Sequence, residues 1–494
     1  MNKTLLVFVI AYLLGTLAIG VWAGRRIKNT ADFALAGRSL PLVMIVTTTF
    51  ATWFGAETVM GIPARFVQGG LNGIVEDPFG AGTCLILVGA FFAARLYRLN
   101  LLTIGDFYRQ RYGRGVEIFC SLAIILSYLG WVAAQVTALG LVFNVLSAGE
   151  ISETAGMVIG TAAVLVYVIV GGFVAVAWTD FIQMIVLVLG LSVIAVFSAE
   201  LAGGADQVLA LAAREDLWRL WPAPTWHDTA FFIAAAITMM LGSIPQQDVF
   251  QRVMSAKDAR TAQRGAMIGG AAYIAFAFVP MFIVCAAVVV MGDKALALVA
   301  GDYQKVLPSF IMGHMNLPLQ ILFFGALLSA IKSTSSATLL APATSFVENI
   351  LKNIHPAMSD RQLLAAMRIS IGVFAVSVLL YAVLMKGTSI YELVSGAYQV
   401  TLVGAFVPLV AGLYWRRAST QGAVLSIGLG IAVWVLFFPQ LTGWGERFPG
   451  QLAGLLAAGV GMLAGSLAPQ WLSNRHGHTH RLAPHADSVA KPAP

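Results

Sequence analysis

Thr47-Thr48-Thr49-Phe50-Ala51-Thr52-Trp53-Phe54-Gly55-Ala56-Glu57, followed by Gly61 and Pro63, interrupts an apolar run long enough to cross a bilayer, and Leu241-Gly242-Ser243-Ile244-Pro245-Gln246-Gln247-Asp248 interrupts another, five helices later. A break frees backbone groups that hydrocarbon cannot satisfy, so in lipid it persists only where it lines a cavity. Paired broken helices in corresponding positions point to a transporter built from inverted repeats. The competing reading is close helix packing, which small residues favour generally. Polar and acidic residues beside both breaks favour the cavity, because ionisable groups inside a membrane are costly and usually functional.

The rest of the chain agrees with a membrane setting. Of 494 residues 59% are hydrophobic and 11% charged, against about 25% charged in soluble domains, and mean hydropathy is +0.83. This excludes a soluble protein, a disordered one and a secreted disulfide scaffold. Cys84, Cys120 and Cys285 stand in apolar stretches without metal-site spacing and read as buried hydrophobes. The first apolar run, from Thr4 to about Ala23, ends in Gly24-Arg25-Arg26 without a small-x-small cleavage site, so it reads as a retained helix. Further spans fall near 42–66, 79–97, 116–147, 156–177, 181–200, 229–247, 266–291, 318–345, 366–385, 390–414, 420–438 and 450–468. The expectation is an all-α integral membrane protein of about 13 transmembrane helices.

The formal net charge of +7 is spread over alternate loops rather than gathered in a nucleic-acid patch. One series carries Arg25, Arg26, Lys28 and Arg38, then Arg109, Arg111 and Arg114, then Arg252, Lys257, Arg260 and Arg264, and later Arg416 and Arg417. The opposite loops are acid-rich, as at Glu150, Glu153, Asp206, Glu215, Asp216 and Asp228. Cytoplasmic loops favour Lys and Arg, which sets the N-terminus outside and the C-terminus inside, in a bacterial inner membrane by the shortness of the loops. The organisation read this way is a first helix and loop (1–41), a first repeat (42–200), an extracellular loop (201–228), a second repeat (229–414), two C-terminal helices (415–470) and a disordered His- and Pro-bearing cytoplasmic tail (471–494). Lys332 is left inside a span.

Gly37-Arg38-Ser39-Leu40, Tyr167 to Gln183 (YVIVGGFVAVAWTDFIQ), Gln251-Arg252 and Ser329 to Ser336 (SAIKSTSS) resemble the sodium/solute symporter family, over about residues 5 to 440. ATWFGAE, LILVGAFFA, the Trp131 segment and SFVENI with the Arg368 segment are most similar to its choline-transporter branch. The resemblance implies a leucine-transporter-like core of five plus five inverted helices, coupled to sodium. It implies a main sodium site from the carbonyls of Ala51, Phe54 and Ala330 and the hydroxyls of Ser333 and Thr334. Residues 330, 333, 334 and 337 do share one helical face. The alternative is that both hydroxyls bond back one turn.

The resemblance also implies a second cation region at Asp180 and Ser336, although Ala337 lacks the hydroxyl found there in relatives. Where the family is usually apolar this chain has Lys332, which is one turn from Ser336. Three readings stand: Lys332 pairs with Asp180 and replaces a second sodium, it reaches water from an inner vestibule, or it titrates and makes transport proton-coupled.

For the solute, Trp53 and Trp131 match aromatic walls that the choline branch sets around a quaternary ammonium. Gln246 stands in place of another tryptophan and Ala81 in place of a tyrosine. Glu57, Glu76, Asp77 and Asp248 suit an amino group, or instead cap helix halves or bind an arginine such as Arg65. Trp53, Glu57, Trp131, Gln246 and Gln247 are the expected lining, with Glu76 and Asp77 further out. Asp106 to Gly113 (DFYRQRYG) orients helices at the inner face, or gates the exit. The function expected is sodium-coupled import of a small zwitterionic or cationic solute, such as proline, choline or a betaine, by alternating access. The partners are that solute and the bilayer, with no nucleic acid and no obligate protein. The spans hold no nucleophile beside a base, no His pair and no phosphate loop, so an enzyme is not expected; the rival classes are a sensor domain and a channel.

Overall fold

The computed structural model describes residues 3–24 and 29–472; Arg25, Arg26, Lys28 and the tail from 473, with the disorder expected of it, lie outside the described residues. Regular structure among the described residues is helical, the one β feature being an isolated bridge between Leu40 and Ala256. Among the described residues, eight helices are long and apolar enough to cross a membrane, or up to ten if each of two bent pairs is one span. The bent pairs are Leu42–Trp53 with Glu57–Gly69, at 57°, and Trp226–Gly242 with Gln247–Ser255, at 45°. Both fall on the breaks read from sequence. At the first, Phe54 leaves helical geometry (φ −89, ψ 70) and Pro63 opens the next regular turn. At the second, Pro245 has no N–H to continue a ladder, and Gln246 is extended (φ −72, ψ 141).

The count of about 13 exceeds ten through three elements. Lys3–Gly24 is a further apolar helix of 22 residues beyond those ten, Thr420–Leu436 is a shorter apolar helix of 17, and Glu153–Leu201 is one 49-residue helical run where the sequence suggests two spans. Straight, that run would extend about 74 Å at 1.5 Å per residue, more than twice the ~30 Å of hydrocarbon. It bends at Gly172 (φ 51, ψ −160). The Tyr167 hydroxyl consequently meets that of Thr179, 12 residues on, a contact that a straight helix would hold about 18 Å apart. The turn expected near Thr179 is therefore at Gly172, and Thr179 and Asp180 are buried within the helix that follows.

The DFYRQRYG segment forms the helix Ile104–Tyr112, opened by a capping box between Thr103 and Asp106. Tyr108 donates to the carbonyl of Ala405 at 2.9 Å, Tyr112 to that of Pro408 at 2.8 Å, and Arg111 to that of Ala418 at 2.8 Å. This short helix thus fastens Ile390–Tyr414 and the turn beyond it, the orienting role among the two readings.

Candidate functional site

The first break is crossed by the helix Leu317–Ile354. Thr334 Oγ1 donates to the carbonyl of Thr52 at 2.7 Å, and Ser333 Oγ donates to Asp180 Oδ1 at 2.6 Å. Asp180 Oδ2 accepts from Thr48 Oγ1 at 2.5 Å. Ser333 and Thr334 therefore reach across to other helices, whereas Ser335, Ser336 and Thr338 bond back to carbonyls one turn earlier. Ala51, Phe54 and Ala330 are buried as well, although the break carbonyl that Thr334 meets is that of Thr52. Gly55 permits the crossing: a Cβ there would lie 2.5 Å from Glu57 Oε2 and 2.7 Å from Thr334 Oγ1. Carbonyls of an unwound segment facing hydroxyls are the oxygen set that holds a hard monovalent cation, so the residues fit sodium.

Two basic side chains differ from expectation. Arg252, expected in a loop, is 2% exposed, because every residue of Gln247–Ser255 is buried. Its guanidinium donates to the carbonyls of Asp248 (2.7 Å) and Thr48 (3.3 Å) and to the hydroxyl of Thr52, so it ties the two breaks together. Lys332 makes no ion pair with Asp180. Successive helical residues lie 100° apart, so Ser333 takes the carboxylate while the ammonium stands 4.0 Å from the centroid of the Tyr167 ring.

Beside this cation region lies an aromatic cluster framed by acids. Trp53 and Trp131 meet edge to face with centroids 5.4 Å apart, Tyr398 packs on both at 6.2 and 5.6 Å, and Tyr128 stacks on Trp131 at 6.2 Å. Each indole N–H is held by a different carboxylate. Trp53 Nε1 donates to Asp248 Oδ2 at 3.2 Å and Trp131 Nε1 to Glu57 Oε1 at 3.0 Å. Tyr128 donates to Asp248 Oδ1 at 2.6 Å, and Gln135 Nε2 to Glu57 Oε2 at 2.6 Å. Asp77 accepts from Tyr273, and Glu76 from Ser395. Among the described residues no Lys, Arg or His nitrogen comes within 4.0 Å of a carboxylate oxygen of these four acids. Arg65 is exposed and is not their partner.

Gln246 joins the cluster by donating to Ser127 at 2.8 Å, with its Oε1 left without a partner. Gln247 does not: its Oε1 accepts the N–H of Ile104 at 2.9 Å, tying the second break to the DFYRQRYG helix. Sequence reading missed Tyr128, Gln135, Tyr398 and Arg252. Tyr128 and Gln135 lie three residues before and four after Trp131, so one helical face was visible; nothing local points Tyr398 at it.

A model described as the sodium:solute symporter family matches residues 33–430. A high-affinity choline transporter of Caenorhabditis elegans is 25% identical, the match covering 92% of this chain and 85% of the relative. A sodium/pantothenate symporter of Escherichia coli is 27% identical over 93% of this chain and 96% of its own. Among solved structures, a substrate-bound, outward-open Na+-coupled sialic acid symporter superposes with a TM-score of 0.80 at 21% identity, covering 94% of this chain and 98% of that one. This likeness bears out the leucine-transporter-like helical fold.

Proposed function

From its membership of the sodium:solute symporter family, whose members are carriers and not enzymes, we propose that this chain couples sodium to the import of a small organic cation bearing N–H groups. The observation that carries the choice of solute is the set of three buried acids, Glu57, Glu76 and Asp77, without basic partners among the described residues, beside four aromatic rings; Asp248 has the Arg252 guanidinium one turn on. A buried carboxylate lacking a counter-ion costs several kcal/mol, and a cationic solute supplies one. The helix ends sharpen the choice. Both half-helices after the breaks carry an acid in their first turn, Glu57 and Asp248. Their positive N-terminal ends are thereby neutralised, which leaves no receptor for a solute carboxylate. Betaines and amino acids fit less well than amines. A quaternary ammonium would find the ring faces, worth up to about 2 kcal/mol when desolvated, but could donate nothing to the carboxylates.

In this reading Ala51, Phe54, Ala330, Ser333 and Thr334 hold the co-transported sodium. Trp53, Trp131, Tyr128 and Tyr398 wall the solute, Glu57 and Asp248 accept its N–H groups, and Asp77 with Glu76 stand nearer the mouth. Sodium contributes positive charge at the first break, where Thr334 already bonds the Thr52 carbonyl, so its arrival bears on the same backbone that carries Trp53 and Glu57. Repeats at 42–200 and 229–414 would rock about this midplane site, with the N-terminus outside, in a bacterial inner membrane. The test is a thermal-shift and calorimetric screen of purified protein against primary and secondary amines, diamines, choline, betaine and proline, in sodium and in potassium. Amines that stabilise only in sodium support the reading. Stabilisation by zwitterions or anions while amines do nothing rejects it.

A further inference from the structure

Lys332 is 2% exposed, and its Nζ has no hydrogen-bond acceptor among the described residues. What it has is the face of Tyr167, 4.0 Å from the centroid. A ring face returns less than the burial of an ammonium costs, so something else holds it. Tyr167 contacts Thr179, the neighbour of Asp180, and Asp180 in turn accepts from Ser333, the neighbour of Lys332. Ammonium and carboxylate thus flank one contact between two helices, and the Arg252 guanidinium stands by the same carboxylate's hydroxyl partner, bonding the Thr48 carbonyl. On the far side Tyr12 bonds Ser329, one turn before Lys332, at 2.7 Å. Gln183, a turn beyond Asp180, is buried with both amide atoms unpartnered.

Around Asp180 are the hydroxyls of Thr48 and Ser333, with Ser336 bonded to the carbonyl of Ser333. A carboxylate with hydroxyls, next to an unpartnered amide oxygen, is a set that would take a free cation. This chain brings a cation there on a side chain. We propose that Lys332 is a tethered cation: together with the Arg252 guanidinium, which bonds the Thr48 carbonyl and the Thr52 hydroxyl, its ammonium meets the charge requirement of the Asp180 cluster, excludes a second free cation from it and limits the protein to the one sodium at the first break. The proposal rests on the carrier reading above only for that first sodium.

The experiment is equilibrium sodium binding to full-length purified protein, by 22Na+ retention and by the dependence of melting temperature on sodium without solute, for wild type, Lys332→Met, Lys332→Arg and Lys332→Met/Asp180→Asn. The expected result is a second bound sodium in Lys332→Met, seen as a doubled slope of stability against ln[Na+]. Lys332→Arg, which keeps the charge, stays like wild type, and the double variant loses the gain. Equal stoichiometry in wild type and Lys332→Met overturns the proposal, as do two sodium ions in wild type. If wild type binds none and Lys332→Met binds one that needs Asp180, the tethered cation stands and the sodium assignment at the first break falls. Should Lys332→Met not fold, Lys332→Gln replaces it under the same criteria.

Discussion

Glu57 holds two neutral donors, the indole of Trp131 and the amide of Gln135, whose own oxygen accepts the N–H of Ala56 at 2.9 Å. The side chain is thereby locked while its charge stays unmatched by any basic nitrogen within 4.0 Å among the described residues. Glu57→Gln removes the charge and sets an NH2 group where an acceptor stood. A hydrogen bond to a charged group is worth about 1.5–3 kcal/mol, so affinity for an amine solute should fall roughly 10- to 100-fold, as read by calorimetry. Stability without solute should hold or rise, since a buried uncompensated charge is gone. A fall in stability with unchanged affinity would make Glu57 a structural anchor. At this scale the sequence was legible where chemistry and break coincide: Trp53, Glu57 and Asp248 stand in the interrupted segments themselves. Tyr398 and Gln135 were not, because their roles arise from helices packed together across the fold. Arg252 was misread because charge in a hydrophobic chain looks like a loop until the carbonyls that receive it are in view.

Among elements, the crossing of Leu317–Ile354 over the first break would make the proposed cation and solute regions one assembly. Gly55 is the point of closest approach, and an added methyl there would meet Thr334, Glu57 and Gln135 within 2.9 Å. Gly55→Ala should therefore abolish the thermal response to sodium and to amines together, whereas loss of one alone would mean that the two regions are separable. Gly172 has a different duty. Its φ of +51 with ψ of −160 is a backbone region kept almost to glycine and costs an L-residue about 1–3 kcal/mol, and a Cβ would lie 2.9 Å from the carbonyl oxygen of Phe33. Gly172→Ala should lower the melting temperature in detergent and loosen the Tyr167–Thr179 contact, with a wild-type melt excluding the bend as a requirement. The misplaced turn has a physical cause. Thr179 and Asp180 look like loop residues by polarity, yet inside the fold Thr179 bonds Tyr167 and Asp180 bonds Thr48 and Ser333, and the Gly171-Gly172 pair inside an apolar run carries the bend.

For the whole molecule, the loops sort by charge and the tryptophans mark their levels. Trp218, Trp221, Trp226 and Trp444 are exposed around the acid-rich loops, and Trp471 is exposed at the opposite end, after Gly450–Leu467. Tryptophan collects at membrane–water interfaces, so the two groups bracket the apolar belt and leave the buried acids and rings between them. The basic loops at one end, with Lys257, Arg260, Arg264, Arg416 and Arg417, face the cytoplasm if the charge rule applies. The three cysteines are free and buried, so a cysteine-free background should fold with Cys84, Cys120 and Cys285 replaced by alanine. In that background Asp206→Cys should react with a membrane-impermeant maleimide on intact cells, and Arg417→Cys only after permeabilisation. The reverse pattern would invert the protein in the membrane and exchange its outer and inner gates, while solute would still follow sodium down the inward gradient. The sodium gradient, not the orientation, is therefore what links the static site to a direction of transport: the same acids and rings serve either direction, and only the side from which sodium arrives chooses between them.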